Sequence, residues 1–372
     1  MKAGLVFFTL LLFACASAKT YYVSSSPTSP YSCTQAQPCR VSDLPSSFTT
    51  SDSVIFMPGT GVYTFTKTLN NPAVTVQNGC VFSATTLTVR TSPSLTVTFA
   101  TFRSSSSLNA ATITSMTVSN CNFTNSQTAP LDIGTLSLTN TIFVGMSGTQ
   151  RVQISATTGT VTNCTFTSCS TSVALFQLVS ILSATSYTTS DVDFVQCTTT
   201  ADSIFVVRAT SGRAVTAGVT DTLFDGCTTN NAFLEINNKA ASQTFTSELN
   251  TFDIRFWGGS TKEGLVKMKN EAAYSSMNAI GGQYNSQSTD FGSGPAFTQY
   301  TASGSVIGQF DGFTNNNICS PTNMAYFDSC TGVVANMLML YSGNNQGTHT
   351  NNNCSVMDSS GTACTPGTTT TT

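Results

Sequence analysis

Two groups of residues in this chain could do chemistry: its cysteines, and a few acids set among aromatics. The stretch "VTNCTFTSCST" at 161–171 places Cys164 and Cys169 either side of Phe166. Such a pair could ligate zinc, close a local disulfide or belong to a repeat. The stretch "FDIRFW" at 252–257 sets Asp253, Arg255 and Trp257, the only tryptophan, at alternate positions. On a strand, alternate residues share a face, so Phe252, Ile254 and Phe256 are expected inward and the other three outward. A carboxylate, a guanidinium and an indole on one rigid strand could stack on a sugar ring and hydrogen-bond it. One repeat earlier, Asp225 is expected in the place equivalent to Asp253, with Asp221 beside Asp191 on the same face and Asp311 two repeats later. Two carboxylates about 5 Å apart could also act as acid and nucleophile of a glycosidase. The one histidine, His349, sits in "GTHTNNN" and reads as a solvated loop residue. Asp225, Asp253, Arg255 and Trp257 are therefore the expected ligand-binding surface. No catalytic residue, metal ligand or cofactor is assigned.

These residues must be positioned by something repetitive. "FTSCSTSVALF" from 166, "FVQCTTTADSIF" from 194 and "FDGCTTNNAFLEI" from 224 are three successive copies, 28 and 30 residues apart. Looser anchors precede them at Phe82, Phe102, Phe123 and Phe143, and follow at Phe252, Tyr284, Phe310 and Tyr341. About ten residues later runs a second ladder of short apolar strands: "ALFQL", "IFVVR", "FLEIN", "LVKMK", "AFTQY" and "AYFDS". Two ladders marching at one long period mean that each period folds into a coil stacked on the last. Helical periodicity is absent after the first residues, and only 8 % of residues are charged. The pattern predicts an all-β chain, a single-stranded right-handed parallel β-helix of about eleven coils.

Alternation turns Cys121 and Cys164 inward with Phe123 and Phe166. Cys169, Cys197 and Cys227 fall in one column on successive coils, where side chains point the same way at about 4.8 Å, poor geometry for a disulfide. With no histidine or acid nearby the column is a weak metal site. Buried thiols filling space are favoured over disulfide or metal. The remaining cysteines are loop staples: Cys33 with Cys39 foremost, then Cys319 with Cys330 and Cys354 with Cys364.

Lys2, the apolar "GLVFFTLLLF" and "ASA" at 16–18 read as a secretory signal peptide over residues 1–18. Residues 19–352 then form the β-helix with its N-terminal cap, and 353–372 a Ser/Thr-rich polar tail. Asn122, Asn163 and Asn353 head glycosylation sequons, and alternation points Asn122 and Asn163 outward. Fourteen Lys and Arg against 17 acids, net charge −3, exclude a broad basic surface for nucleic acid. No later segment reaches the ~20 apolar residues of a membrane helix.

The entry segment adds a resemblance. "KTYYVSSS", "CTQAQPC", "VSDLPSSF" and "SDSVIFMPGTGVYTF" resemble the N-terminal entry of secreted right-handed β-helix proteins of the pectin-lyase-like class, with Asp52, Ile55, Pro58, Gly59 and Tyr63 in the places of that turn. The Phe-x-x-Cys rungs are similar to the Phe-x-x-Asn repeats of polymorphic-outer-membrane and other adhesin-like β-helices, without their Gly-Gly-Ala-Ile companion. What the resemblance implies is a fold that often degrades acidic polysaccharides. The galacturonase-type motifs Asn-Thr-Asp, Asp-Asp, His-Gly and Arg-Ile-Lys and the pectate-lyase-type Trp-x-Asp-His are absent here. The expected protein is secreted and non-catalytic, structural or adhesive at a cell surface or wall, with a polysaccharide or cell-surface glycan as partner. The alternatives are a polysaccharide lyase or glycoside hydrolase, and a coat component that self-associates end to end.

Overall fold

The computed structural model describes residues 18–27, 32–59, 61–181, 184–210, 213–238, 246–262 and 264–270, and beyond these a series of strands from Ser276–Gln287 to Thr370–Thr371. Its architecture is a parallel β-solenoid. The described residues contain no α-helix, only a 3-10 turn at Val41–Asp43, and nearly all long strands join one large sheet system in parallel register. None of their helices is long and apolar enough to cross a membrane.

Each period lays down three main strand segments, and the periods from Ser147–Gly148 to Ser260–Thr261 add a two-residue segment that forms a separate five-stranded sheet. The first face is built from segments such as 115–119, 135–139, 158–162, 186–190 and 216–220, paired residue for residue with the periods before and after. The second face carries the phenylalanine anchors at 122–124, 142–144, 165–167, 193–195 and 223–225. The third stacks Phe176–Ser180, Phe205–Ala209, Leu234–Asn238 and Val266–Asn270, which is the second apolar ladder read from the sequence.

Aromatic stacking fixes the interior. Rings of Tyr63, Phe82, Phe102, Phe123 and Phe143 follow one another at centroid distances of 5.0, 4.7, 4.6 and 5.0 Å. Phe166, Phe194, Phe224 and Phe256 continue the ladder at 4.8, 4.9, 4.9 and 5.3 Å. The spacing is that of neighbouring strands, because each ring is carried by the same register position on the next period.

A backbone corner joins the first face to the second. Asn120, Asn140, Asn163, Asp191, Asp221 and Asp253 stack there with φ of 54°, 49°, 52°, 53°, 50° and 50°. Asn and Asp enter this left-handed region more readily than other non-glycine residues. The corner residue is an extra outward position, so it resets the alternation: Val118 and Cys121 both face inward, three residues apart. This overturns one expectation. Thr251, Ile254 and Phe256 are buried, and Phe256 pairs with Phe224, while Phe252 pairs with the outward Thr220. The anchor of that period is Phe256, because the turn at Asp253 falls inside the stretch read as straight. The next anchors shift as well: Tyr284 pairs with Ile254, Phe310 with Tyr284, and Tyr341 with Phe313.

The first-face interior holds one aromatic among aliphatic and threonine side chains. Tyr187 is buried, accepts from the Ala156 amide at 3.0 Å and donates to the Val179 carbonyl at 2.8 Å. Its ring lies over Gly159, where a Cβ would stand 2.6 Å from Tyr187 Cδ1, so the glycine is what admits the tyrosine.

The entry end is closed. Cys33 and Cys39 form a disulfide, and their loop hydrogen-bonds the free edge of Thr20–Val23: Tyr22 N donates to Cys33 O at 2.8 Å and Cys39 N to Tyr22 O at 2.9 Å. Asp52 accepts from the amides of Thr49 and Lys19 at 2.7 and 3.0 Å, which together hold its carboxyl below the usual value. The Tyr63 hydroxyl donates to the carbonyls of Met57 and Val23 at 2.7 and 2.9 Å.

Candidate functional site

The outward side of the second face brings three of the four expected residues together. Trp257 is 40 % exposed, and the Arg255 guanidinium lies 5.7 Å from its ring centroid, within cation–π range. Asp225 stands beside Trp257 on the preceding strand, and Leu223 beside Arg255. Val195 precedes Asp225, and Asp193 precedes Leu223. The patch is thus an indole and two aliphatic side chains edged by one cation and two carboxylates. Asp193 has its carboxyl raised by burial, with Arg255 opposing that shift and Asp191 adding to it.

Asp253 is placed differently from its expected position. It occupies the corner, in register after Asp191 and Asp221, and touches the patch only through Arg255 Nε at 3.8 Å. Asp225 and Asp253 are not equivalent residues of adjacent periods, so the paired-carboxylate geometry that hydrolysis would use is not formed by these two. Asp311 belongs to the Arg255 register position, through Asn285.

The cysteines follow their columns. Cys169, Cys197 and Cys227 are buried and unbridged, as are Cys80, Cys121 and Cys164. Burial pushes the Cys80 and Cys164 thiols up to about 12 and Cys121 to about 11, while the Cys197 sulfhydryl beside it and then burial raise Cys169. Ordinary thiols ionise near 8.5 and react as thiolates. A thiol reagent at pH 9 is therefore expected to leave these six unlabelled in the native protein and to label them after denaturation without reduction. A Cys169–Cys197 disulfide in the native protein would contradict this. Among the described residues, no group of three or more His, Cys, Asp or Glu could hold a metal ion.

Asn122 and Asn163 are both exposed, but differ in what they touch. Asn122 Oδ1 accepts from Thr124, the hydroxyl of its own sequon, at 3.1 Å. Asn163 Nδ2 donates to Asn140 Oδ1 at 2.9 Å, and Asn140 in turn to Asn120 at 3.3 Å, an amide ladder along the corner. Asn353, Cys319, Cys330 and Cys354 lie outside the described residues, as do the contacts of the Cys364 side chain.

Two features escaped the sequence reading. A cleft of about 490 Å³ opens at the entry end between Ser24, Ser26, Arg40 and Phe65. On the third face, buried Glu235 accepts from Ser203 at 2.6 Å and from Asn237 at 3.0 Å. Neither is signalled by a motif, because both arise from residues of different periods.

Models of known protein families, curated proteins and solved structures were all compared with the chain, and none matches.

Proposed function

We propose that this is a secreted, glycosylated, right-handed parallel β-helix of about eleven coils in the pectin-lyase-like style. It acts without catalysis, as a structural or adhesive protein at a cell surface or wall, and it binds carbohydrate on the second face. The observation that carries the reading is Trp257, exposed on a rigid strand with Arg255 stacked beside it. An aromatic plate edged by charged hydrogen-bonding groups is the usual chemistry of sugar recognition. The capped entry edge disfavours end-to-end assembly through that end.

Binding to immobilised polysaccharides and to a glycan array tests this. Trp257→Ala is expected to weaken binding by ~1–3 kcal/mol, the scale of a good aromatic anchor, with little change in melting temperature because the ring is at the surface. Asp253→Asn is expected to change affinity by less than ~1 kcal/mol, the worth of a surface ion pair. Unchanged affinity in Trp257→Ala would remove this site, and polymer degradation by the wild type would replace the binding reading with an enzymatic one.

A further inference from the structure

The outward side of the first face is a lattice of hydroxyls. Segments 94–98, 115–119, 135–139, 158–162, 186–190 and 216–220 read, at their outward positions, Ser-x-Thr-x-Thr, Ser-x-Thr-x-Ser, Thr-x-Ser-x-Thr, Thr-x-Thr-x-Thr, Ser-x-Thr-x-Ser and Thr-x-Gly-x-Thr. Register is unbroken across all six, so these residues form three columns, the central one running Thr96, Thr117, Ser137, Thr160, Thr188, Gly218. Hydroxyls occupy 17 of the 18 positions, with no charged or aromatic residue among them.

Composition does not explain this. The same periods carry Arg103, Ile142, Val144, Asp193, Leu223 and Asp225 on the outward side of the second face. Nor are the hydroxyls consumed internally. Among the described residues only Thr220 of the set bonds to protein, donating to the Thr189 carbonyl at 3.3 Å. The others are partly or fully exposed and left to solvent.

Strand geometry sets the lattice constants: about 4.8 Å between successive hydroxyls along a column and about 6.7 Å between neighbouring columns. Threonine is stiff at χ1, so most of these oxygens are held in fixed directions at those intervals. A face without concavity is a poor site for a small molecule. Within these six periods the face gives a sugar chain no aromatic ring to stack on and a polyelectrolyte no charge; the lattice ends at the next period, where Glu248, Asn250 and Phe252 follow Thr216, Gly218 and Thr220 in register. What it matches is an extended, neutral, periodic array of hydrogen-bonding groups.

We propose that this face binds ice, with the hydroxyl columns ordering a layer of water that merges with the crystal. The proposal does not rest on the Trp257 site, which lies on a different face. The test is growth of a single ice crystal in a solution of the full chain, followed by adsorption of the fluorescently labelled protein to ice. The wild type is expected to facet the crystal, to hold it without growth over a measurable interval below its melting point, and to coat it. Thr160→Lys and Thr117→Lys, both on the solvent side, are expected to abolish that interval while keeping the wild-type melting curve and circular dichroism. Thr101→Lys on the second face should leave it unchanged. Disc-shaped, unfaceted crystals with the wild type would overturn the proposal, as would full activity in Thr160→Lys. So would retention on crystalline cellulose or chitin in place of ice, or a dimer of this chain that Thr160→Lys dissociates.

Discussion

Phe194→Ala is expected to cost ~3–5 kcal/mol of unfolding free energy, the range for a buried aromatic truncated to alanine. Phe194 is fully buried, with Phe166 and Phe224 each 4.9 Å away in the ladder and Phe205 at 6.1 Å from the third face. Removing the ring leaves a hole that neighbouring strands cannot close, because their spacing is set by backbone hydrogen bonds on both sides. Phe194→Leu, which keeps most of the apolar volume, should cost less. Urea denaturation of the three proteins measures this, and a loss below ~1 kcal/mol in Phe194→Ala would mean that the ladder is not the core.

Removing the Cys33–Cys39 disulfide is the second large effect. For a loop of this length the chain-entropy treatment gives ~2–3 kcal/mol. The substitution Cys33→Ser with Cys39→Ser also loosens the cap over Thr20–Val23, whose edge otherwise has Tyr22, Cys39 and Ser24 tied up in hydrogen bonds. Uncovered strand edges pair with other chains. The double variant is therefore expected to melt earlier and to self-associate in sedimentation. A variant that melts with the wild type and stays monomeric would show that the loop neither stabilises nor guards the edge.

Much of the interior was legible in the sequence, because columns of like residues repeat at a long period. Phe166, Phe194 and Phe224 stack as their spacing predicts, and Cys169, Cys197 and Cys227 share a buried column. Where reading failed, a corner was the cause. Period-two alternation assumes extended backbone, and Asp253 at φ 50° breaks it inside "FDIRFW", so the anchor is Phe256 and not the expected Phe252. The same break moved Asp253 away from Asp225. Asn120, Asn140, Asn163, Asp191 and Asp221 hold the same register place, and an Asx residue three before each phenylalanine anchor of the second face is the signal that would have located the turn. The hydroxyl face went unread for a different reason. Ser and Thr are abundant throughout, and their regularity shows only when outward residues of six periods are laid side by side in register.

The most direct test of the account is a distance between residues far apart in sequence. Thr75 and Thr188 are outward residues of one column, linked through Thr96, Thr117, Ser137 and Thr160. Five strand spacings separate their backbones by about 24 Å. Nitroxide labels on Thr75→Cys and Thr188→Cys, attached to the native protein, where the six unbridged cysteines among the described residues are buried, report that distance by pulsed electron resonance. The account predicts a single narrow distribution centred near that length. A broad distribution, or one displaced by more than a strand spacing or two, would contradict the register on which both outward faces are built.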